Sequence, residues 1–349
     1  MPEAIIKETN YRGKVLLQLH DGRIAAYHKG RILVYNTDNQ SKKTIPLPLP
    51  IIKKCLCRWR MTERALHMDI RWAFETDAGH ILILFEKNIY RVSLSNGTLQ
   101  KELCSFSGNP FSVCQYKNTL LFGDYGLNTE RLPVNIYCRE SGGRWKILYT
   151  FKAGTICHIH NIIASGDRIY ILTGDEDPEC GIWYTDDGFT TVKPFLRGNQ
   201  QYRCCQMLPT PDGMFFATDA PSEPNWLYCA EGDTVRQMYE IDGSCIYGAK
   251  DADRLVFSTT VEPEAHARNM LDYWLSNKPG KGIKSTNCSV YVLYGGLLKK
   301  IAEFRHDRLP LRLFQYATCY FSNIQNGIVY FSPAAVKKKD MRIFECRLM

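Results

Sequence analysis

The 349-residue chain contains no run of 18 consecutive apolar residues, so the sequence predicts no transmembrane helix. Residues 1–8 include an early acid and no apolar segment, which argues against a secretory signal. The nucleotide-binding patterns GxGxxG and GxxxxGK(S/T) are absent, as are the GxSxG elbow and the HExxH zinc motif. Nucleotide-driven chemistry and the common hydrolase and metalloprotease templates are therefore poor interpretations of this chain.

The chain has only a modest excess of charge of one sign. Lysine and arginine number 44 against 36 acidic residues, which gives a formal net charge of +8. The basic residues are spread along the chain without a stripe of interleaved aromatic residues, so we expect no nucleic-acid partner. The positive balance would suit an anionic sugar, although charge alone does not identify one.

Cysteine is abundant, with 14 residues, but its spacing is wrong for a disulfide framework or a zinc site. Cys55 and Cys57 form one close pair and Cys204 and Cys205 the other, and no CxxC occurs. Most of the other cysteines lie in apolar runs typical of buried strands. The sequence therefore predicts free thiols and a reducing compartment, the cytoplasm.

Short apolar runs separated by turn residues dominate the sequence and indicate an all-β protein. Four of the runs end in a carboxylate, at Asp124, Asp175, Asp219 and Glu262. These acids recur about every 40–50 residues, which is the period of a propeller blade of four strands. We therefore predict one domain over residues 1–349 that folds as a seven-bladed β-propeller. Six blades would result if the first unit were degenerate.

The predicted units begin near seven positions along the chain, at Tyr11, Met61, Pro110, Thr155, Tyr202, Gly243 and Leu311. The last unit has three clear strands, so we expect Ala4–Ile6 to supply its fourth and to protect the open sheet edges. The sixth unit is lengthened by an insertion over about residues 262–287. Within that insertion, Glu264 to Leu275 has the only plausible helical pattern.

Two predicted hairpins between third and fourth strands resemble degenerate Asp-boxes, whose pattern is SxDxGxTW. They run from Cys138 to Trp145 and from Tyr184 to Thr191, with Glu140 and Asp186 at the acidic position. The acid of such a box caps turn amides and the last residue packs between sheets, so the boxes predict fold rather than catalysis.

The repeat predicts where chemistry could occur. In a propeller, the loop after the second strand and the start of the innermost strand open onto the same face, so segments distant in sequence meet at one pocket. Asp124, Asp175 and Asp219 are the candidate catalytic carboxylates at this level. Tyr125, which follows Asp124, is a candidate phenolic acid or base.

His158 and His160 have the spacing of side chains on one side of a strand. Two imidazoles there could bind one divalent metal, or one of them could act as a general base; satisfied core histidines are the alternative. Arg203 is placed to hold a substrate carboxylate in a bidentate fork. The other candidate substrate-binding residues are Gln201, Glu223, Asn225, Glu262 and Arg268. Glu262 and Arg268 could also form a lid together with His266.

The stretch from Phe122 to Tyr228 resembles the BNR/sialidase-like propeller proteins, glycosyl hydrolases of bacterial polysaccharide gene clusters. The matching segments are Phe122–Tyr125, His158–His160, Thr173–Asp175, Gln201–Arg203 and Thr218–Pro221. The resemblance implies a carbohydrate context. Sialidases hold the sugar carboxylate with three arginines, and in this chain only Arg203 clearly matches that role. The pair His158 and His160 also resembles the histidines of propeller-shaped polysaccharide lyases.

These observations leave two functions open. The first is an enzyme that cleaves a glycosidic bond in an acidic or complex glycan, by hydrolysis or by elimination with a His or Tyr base. The second is a non-catalytic propeller that binds a glycan or a protein partner. Neither the substrate, the metal nor the oligomeric state follows from the sequence.

Overall fold

The protein is described by a computed structural model that covers residues 3–104, 108–140, 142–211, 213–232, 234–264 and 268–349. In this part of the chain, 28 strands form seven four-stranded sheets. Each sheet is built from consecutive strands, except the one that joins the two ends of the chain. The fold is therefore a seven-bladed β-propeller, as the repeat period predicts.

The blades follow the predicted units, except that the second begins at Ala73 and not near Met61, which lies in a helix. The first three blades are β2 (Lys14–Gln18), β3 (Ile24–His28), β4 (Arg31–Tyr35) and β5 (Lys42–Pro46); β6 (Ala73–Asp77), β7 (His80–Phe85), β8 (Asn88–Ser93) and β9 (Leu99–Cys104); and β10 (Cys114–Tyr116), β11 (Thr119–Gly123), β12 (Val134–Arg139) and β13 (Trp145–Phe151). The next two are β14 (His158–Ser165), β15 (Arg168–Gly174), β16 (Gly181–Thr185) and β17 (Lys193–Arg197); and β18 (Cys204–Thr210), β19 (Gly213–Thr218), β20 (Asn225–Glu231) and β21 (Thr234–Ile241). The sixth is β22 (Ser244–Lys250), β23 (Arg254–Thr260), β24 (Asn287–Tyr294) and β25 (Leu297–Arg305).

The seventh blade joins the two ends of the chain. Its strands are β26 (Thr318–Phe321), β27 (Ile328–Ala334), β28 (Arg342–Leu348) and β1 (Ala4–Arg12). β1 pairs antiparallel with β28, with Ala4 opposite Leu348 and Ile6 opposite Cys346. The predicted closure by the N-terminal segment is confirmed, and it pairs one edge of the last sheet.

Three short α-helices interrupt the strands: α1 (Ile51–Leu56), α2 (Arg60–Ala65) and α3 (Met270–Leu275). The insertion between β23 and β24 is confirmed, but α3 occupies only the second half of the predicted helical stretch. Residues 265–267, including His266, lie outside the described residues. The expectation of a single helical segment is wrong, since α1 and α2 were not foreseen. Each has six residues, which is too short for a helical period to show in the sequence.

By its internal contacts the chain divides into two compact units. The first unit comprises Met1–Asp69, Ser95–Gly97 and Thr210–Met349, and the second comprises Ile70–Leu94 and Thr98–Pro209. In the second unit, apolar residues of β11, β12, β14 and β15 form a buried cluster that includes Leu121, Ile136, Ile159 and Ile171. This packing fixes the strands that carry the candidate site.

The cysteines act as small core residues, as predicted. All those whose side chains are described are free thiols, and all of them except Cys55 are buried. Cys288 and Cys319 lie side by side, with 3.5 Å between their Sγ atoms. A search of the described residues finds no helix that is long and apolar enough to cross a membrane.

The two predicted Asp-box segments do form hairpins between third and fourth strands, but their acids behave differently from expectation. In the second hairpin the cap is Asp187, whose Oδ1 accepts the Thr191 amide at 3.0 Å, while Asp186 lies 3.7 Å from Arg168. Glu140 of the first hairpin pairs with Lys146. The shift by one residue corrects the assignment of the capping acid, and the family identity of these hairpins stays a prediction.

Candidate functional site

Three basic side chains of the second unit converge on the carboxylate of Asp175. His160 Nε2 lies 3.2 Å and Arg203 Nη2 lies 3.0 Å from Oδ1, and His158 Nε2 lies 3.5 Å from Oδ2. The two histidines are buried, whereas the Asp175 side chain is 38% exposed. Asp175 is therefore the member of this group that a ligand would meet first. We call these four residues the Asp175 cluster.

The backbone of the fourth blade positions this cluster. β14 begins at His158 and pairs with the end of β15, so that His158 lies opposite Gly174, immediately before Asp175. The register shifts between Ile159 and Asn161, which leaves His160 in a β-bulge. A bulge turns a side chain away from the regular alternation, and the two imidazole centroids lie 5.0 Å apart. The sequence prediction that both rings share one side is confirmed.

Backbone carbonyls orient both imidazoles. His158 Nδ1 lies 3.0 Å from the carbonyl oxygen of Gly126, and His160 Nδ1 lies 3.2 Å from that of Cys204. An Nδ1–H that donates to a carbonyl leaves Nε2 as the ring atom that faces Asp175. The two backbone carbonyls thus set the orientations of the imidazole rings.

The charges in the cluster are strongly coupled. Burial opposes ionisation of Asp175, but hydrogen bonds with the two histidines and the positive charge of Arg203 hold its pKa far below the ordinary range. Burial also acts against a charged His158, yet its hydrogen bonds with Asp175 and Cys157 raise its pKa to about 9. Burial lowers the pKa of His160 to about 4. At neutral pH the cluster therefore holds one negative and two positive charges.

Tyr125 and Asp124 lie on the third blade beside the cluster. The Tyr125 ring centroid is 4.3 Å from that of His158, and the side chain is only half-buried. Asp124 is buried, and its Oδ2 accepts the Asn135 amide at 3.1 Å. Its carbonyl oxygen accepts the Ile159 amide at 2.9 Å, which joins the third blade to the histidine strand. Asp124 thus acts on the cluster through the backbone.

Two contacts of the second unit were not predicted. The side-chain amide of Gln200 donates to the Asp175 carbonyl at 2.8 Å, next to Gln201, whose assignment to substrate binding stays a prediction. Arg131 forms an ion pair with Glu179, which lies in the one-turn 3₁₀ helix after Asp175. Gln200 lies in a short 3₁₀ helix, Gln200–Tyr202, where the sequence alone does not show which side chain turns toward Asp175.

The chemistry of the donor set fits a divalent metal. His158, His160 and Asp175 provide two imidazole nitrogens and a carboxylate, a combination that holds first-row metals in many proteins. Metal-bound histidines commonly donate their other ring N–H to a backbone carbonyl, as the geometry at Gly126 and Cys204 allows. Ligand atoms of Cys157, His158 and Asp175 also lie within 4.8 Å of one another.

The other predicted site residues belong to the first unit. Asp219 is buried, Glu223 and Arg268 are exposed, and Glu262 is half-buried. Asn225 is 1% exposed, and its amide contacts the backbone of Ala220, Glu223 and Gly282. The Asn225 side chain therefore holds a loop, and its assignment to substrate binding stays a prediction.

Comparison with known proteins gives the fold without a family. No family model matches the chain, and no curated protein matches it. Among solved structures, it is similar to a chain of a mitotic checkpoint complex, with 10% identity, a TM-score of 0.57 and coverage of 100% of this chain and 94% of that one. It is also similar to the extracellular domain of the BT4673 one-component system of B. thetaiotaomicron, with 14% identity and a TM-score of 0.58, over 97% of this chain and 39% of that one.

A third similar structure is an oligogalacturonate lyase in complex with manganese. It shares 10% identity and a TM-score of 0.54, with coverage of 99% of this chain and 91% of the lyase. Such neighbours are seven-bladed β-propellers, and at this level of identity the similarity establishes the fold alone. The BNR/sialidase-like resemblance remains a prediction.

Proposed function

We propose that the Asp175 cluster, with Tyr125, cleaves a glycosidic bond in an acidic glycan by β-elimination beside a uronic acid. The observation that carries this proposal is the convergence of His158, His160 and Arg203 on one partly exposed carboxylate. The excess positive charge of the cluster suits an anionic sugar. Glu179, which lies in the turn after Asp175, is already paired with Arg131.

Elimination suits these residues better than hydrolysis does. A hydrolase needs a carboxylic acid with a raised pKa to protonate the leaving oxygen, whereas the pKa of Asp175 is lowered. Elimination needs positive charge near the substrate carboxylate and a group that moves protons, such as His or Tyr. Both are present in the second unit.

The proposed step conserves atoms and charge. A base removes the proton on C5, the electron pair forms a C4=C5 double bond, and the C4–O bond breaks. The leaving glycosidic oxygen takes up a proton, so the products are an unsaturated uronate end and a new reducing end. We assign the proton transfer to the Tyr125 hydroxyl, because its ring contacts His158 and its side chain is less buried than His160.

His158, His160 and Asp175 would hold a divalent metal if the enzyme uses one, and the metal would replace the proton that His158 otherwise carries at neutral pH. Such an ion would supply positive charge to offset the substrate carboxylate. Arg203 fixes the orientation of Asp175 through its carboxylate and its backbone carbonyl, the latter at 3.3 Å from Nη1. The similarity to a manganese-bound oligogalacturonate lyase supports this proposal at the level of fold.

The test is to incubate the metal-analysed protein with oligogalacturonate and other acidic oligosaccharides, and to follow the ultraviolet absorbance of the C4=C5 bond. We expect turnover by the native protein, and its loss in Asp175→Asn and His160→Ala. His80→Ala is the matched control, because His80 is a half-buried histidine of the second unit that pairs with Asp77. Circular dichroism establishes that each variant is folded.

Two results would reject elimination. New reducing ends without the double bond would indicate hydrolysis. Binding of a glycan with no turnover, unchanged in Asp175→Asn, would favour the non-catalytic propeller.

A further inference from the structure

A concave site lies within the first unit, away from the residues of the Asp175 cluster in the sequence. It is a cleft of about 410 Å³ in the first blade and the segment that follows it. The lining residues are His28, Lys29, Gly30, Arg31, Leu33, Lys42, Thr44, Pro46, Lys54 and Arg58. Five of these carry a positive charge at neutral pH, and none of the described lining residues is acidic.

The register of the outer hairpin explains why these side chains meet. Arg31 lies opposite Pro46 and Leu33 opposite Thr44 across β4 and β5, so these residues share one face of the sheet. Lys42, two residues before Thr44, lies on the same face. Lys29 occupies the turn between β3 and β4 with a φ of 50°. The cleft is thus built on a rigid sheet.

The helix after the hairpin contributes the remaining charges. Lys54 lies in α1 and Arg58 four residues later, where the Arg58 amide donates to the Cys55 carbonyl at 3.1 Å. Residues four apart lie on the same side of a helical turn. Two separate elements therefore present basic side chains to one cleft.

None of the five lining cations forms an ion pair with the described part of the chain. The neighbouring acid, Glu63, is held by Arg60, which also pairs with Asp340. Arg254 of the same unit, by comparison, is paired with Asp251. Five unpaired cations around one cleft repel each other, and this repulsion is relieved when an anion binds.

His28, a half-buried residue that lines the cleft, responds to the same positive potential. Burial lowers the pKa of His28 to about 4, and the charges of Lys29, Arg60, Arg12 and Lys42 act in the same direction. His28 is therefore neutral at pH 7, and the positive potential comes from the lysines and arginines.

We propose that this cleft binds a ligand that carries several phosphate groups. Its volume lies in the range of small-molecule sites. Arg31 and Arg58 offer planar forks that match phosphate oxygens, and three lysines provide further point charges. A ligand with several negative charges close together neutralises five cations in a small volume, whereas a sugar with one carboxylate per ring does not.

The same chemistry could come from a soluble polyphosphate or from a phosphorylated lipid headgroup. Ile51 and Ile52 at the start of α1 are 79% and 75% exposed. Exposed apolar residues next to basic ones are typical of segments that lie at a membrane surface. The experiment therefore needs one arm for each source.

The soluble arm is calorimetric titration of the full chain with inositol hexakisphosphate and with tripolyphosphate. The lipid arm is co-sedimentation with vesicles of phosphatidylcholine, with and without phosphatidylinositol 4,5-bisphosphate. We expect saturable binding in at least one arm that weakens with salt. In the double variant Arg31→Gln, Arg58→Gln we expect a loss in affinity of about tenfold or more, since each charged hydrogen bond contributes well over a factor of five.

The control is the double variant Arg236→Gln, Arg347→Gln, which makes the same change in net charge at exposed, ion-paired arginines of the first unit. Arg31 and Arg58 are exposed, so their replacement leaves the fold intact, and the melting temperature verifies this. The proposal is overturned if neither arm shows binding, if both double variants weaken it equally, or if oligogalacturonate binds the cleft more tightly than inositol hexakisphosphate.

Discussion

Gly174 lies so close to His160 that a Cβ atom built on the glycine would come 2.5 Å from Cε1 and 3.0 Å from Nε2 of the imidazole. Arg203 Cγ would lie 3.3 Å from the same Cβ. The glycine therefore allows the end of β15 to bring Asp175 against both basic side chains. Glycine is needed at position 174 because the His160 imidazole occupies the space that a Cβ atom would fill. The φ angle of Gly174 does not itself require glycine.

The first prediction concerns this close approach. Gly174→Ala should force His160 or the strand to shift, with a loss in unfolding free energy of about 1–3 kcal/mol, as in other overpacked cores. Thermal melting measures this loss. Gly126→Ala is the control for stability, because the nearest atom to its Cβ would lie 3.9 Å away. Equal melting temperatures for the two variants would show that the contact is not tight.

Arg203 is predicted to act as more than a point charge. Arg203→Lys keeps the charge but loses the fork that reaches both the Asp175 carboxylate and its backbone carbonyl. We expect kcat/KM for the glycan substrate to fall by roughly 10–100-fold, which corresponds to the loss of one or two charged hydrogen bonds. The measurement is kcat/KM. Arg91→Lys, at a more exposed arginine of the second unit paired with Asp77, should keep native activity. Full activity in Arg203→Lys would mean that charge alone suffices.

The architecture could be read from the sequence because it repeats. The spacing of strand-ending acids gave the blade period, and a last unit short of one strand indicated the closure by β1 on β28. The short helices α1 and α2 could not be predicted, because six residues contain less than two turns. Sequence periodicity identifies elements only when they are long enough to repeat.

The site was predicted less completely than the fold. His158, His160, Asp175 and Arg203 lie at repeated blade positions, and the structure brings them together. The contact of the Gln200 side chain with the Asp175 carbonyl was not predicted; it lies in a 3₁₀ turn, where the direction of each side chain depends on backbone angles that no pattern encodes. The capping role of Asp187, one residue after the expected Asp186, was missed for the same reason.

Asn225 is predicted to affect stability and not catalysis. Its side chain bonds the Ala220 amide at 2.9 Å and the Ala220 carbonyl at 2.8 Å, inside the first unit. Asn225→Ala would leave these buried backbone groups without partners, at a cost of about 1–3 kcal/mol. Chemical denaturation should show the loss, with kcat/KM unchanged. Glu223→Ala, at the exposed position nearby, should change stability by less than about 0.5 kcal/mol. A lower kcat/KM with native stability in Asn225→Ala would instead support the substrate contact predicted from sequence.

The hairpin at Asp187 gives a prediction with a definite pH dependence. The Asp187 carboxylate accepts hydrogen bonds from the side chain and the amide of Thr191, which lower its pKa to about 2. A lowered pKa in the folded state means that the ionised form stabilises the hairpin, fully above the unfolded pKa near 4 and progressively less as pH falls toward 2. Asp187→Ala should therefore melt below the native protein at pH 7, and the difference should shrink between pH 4 and pH 2. Asp186→Ala, which removes only an exposed contact with Arg168, should match the native protein at both pH values. If the two alanine variants melt alike at pH 7, the cap on Thr191 does not stabilise this turn.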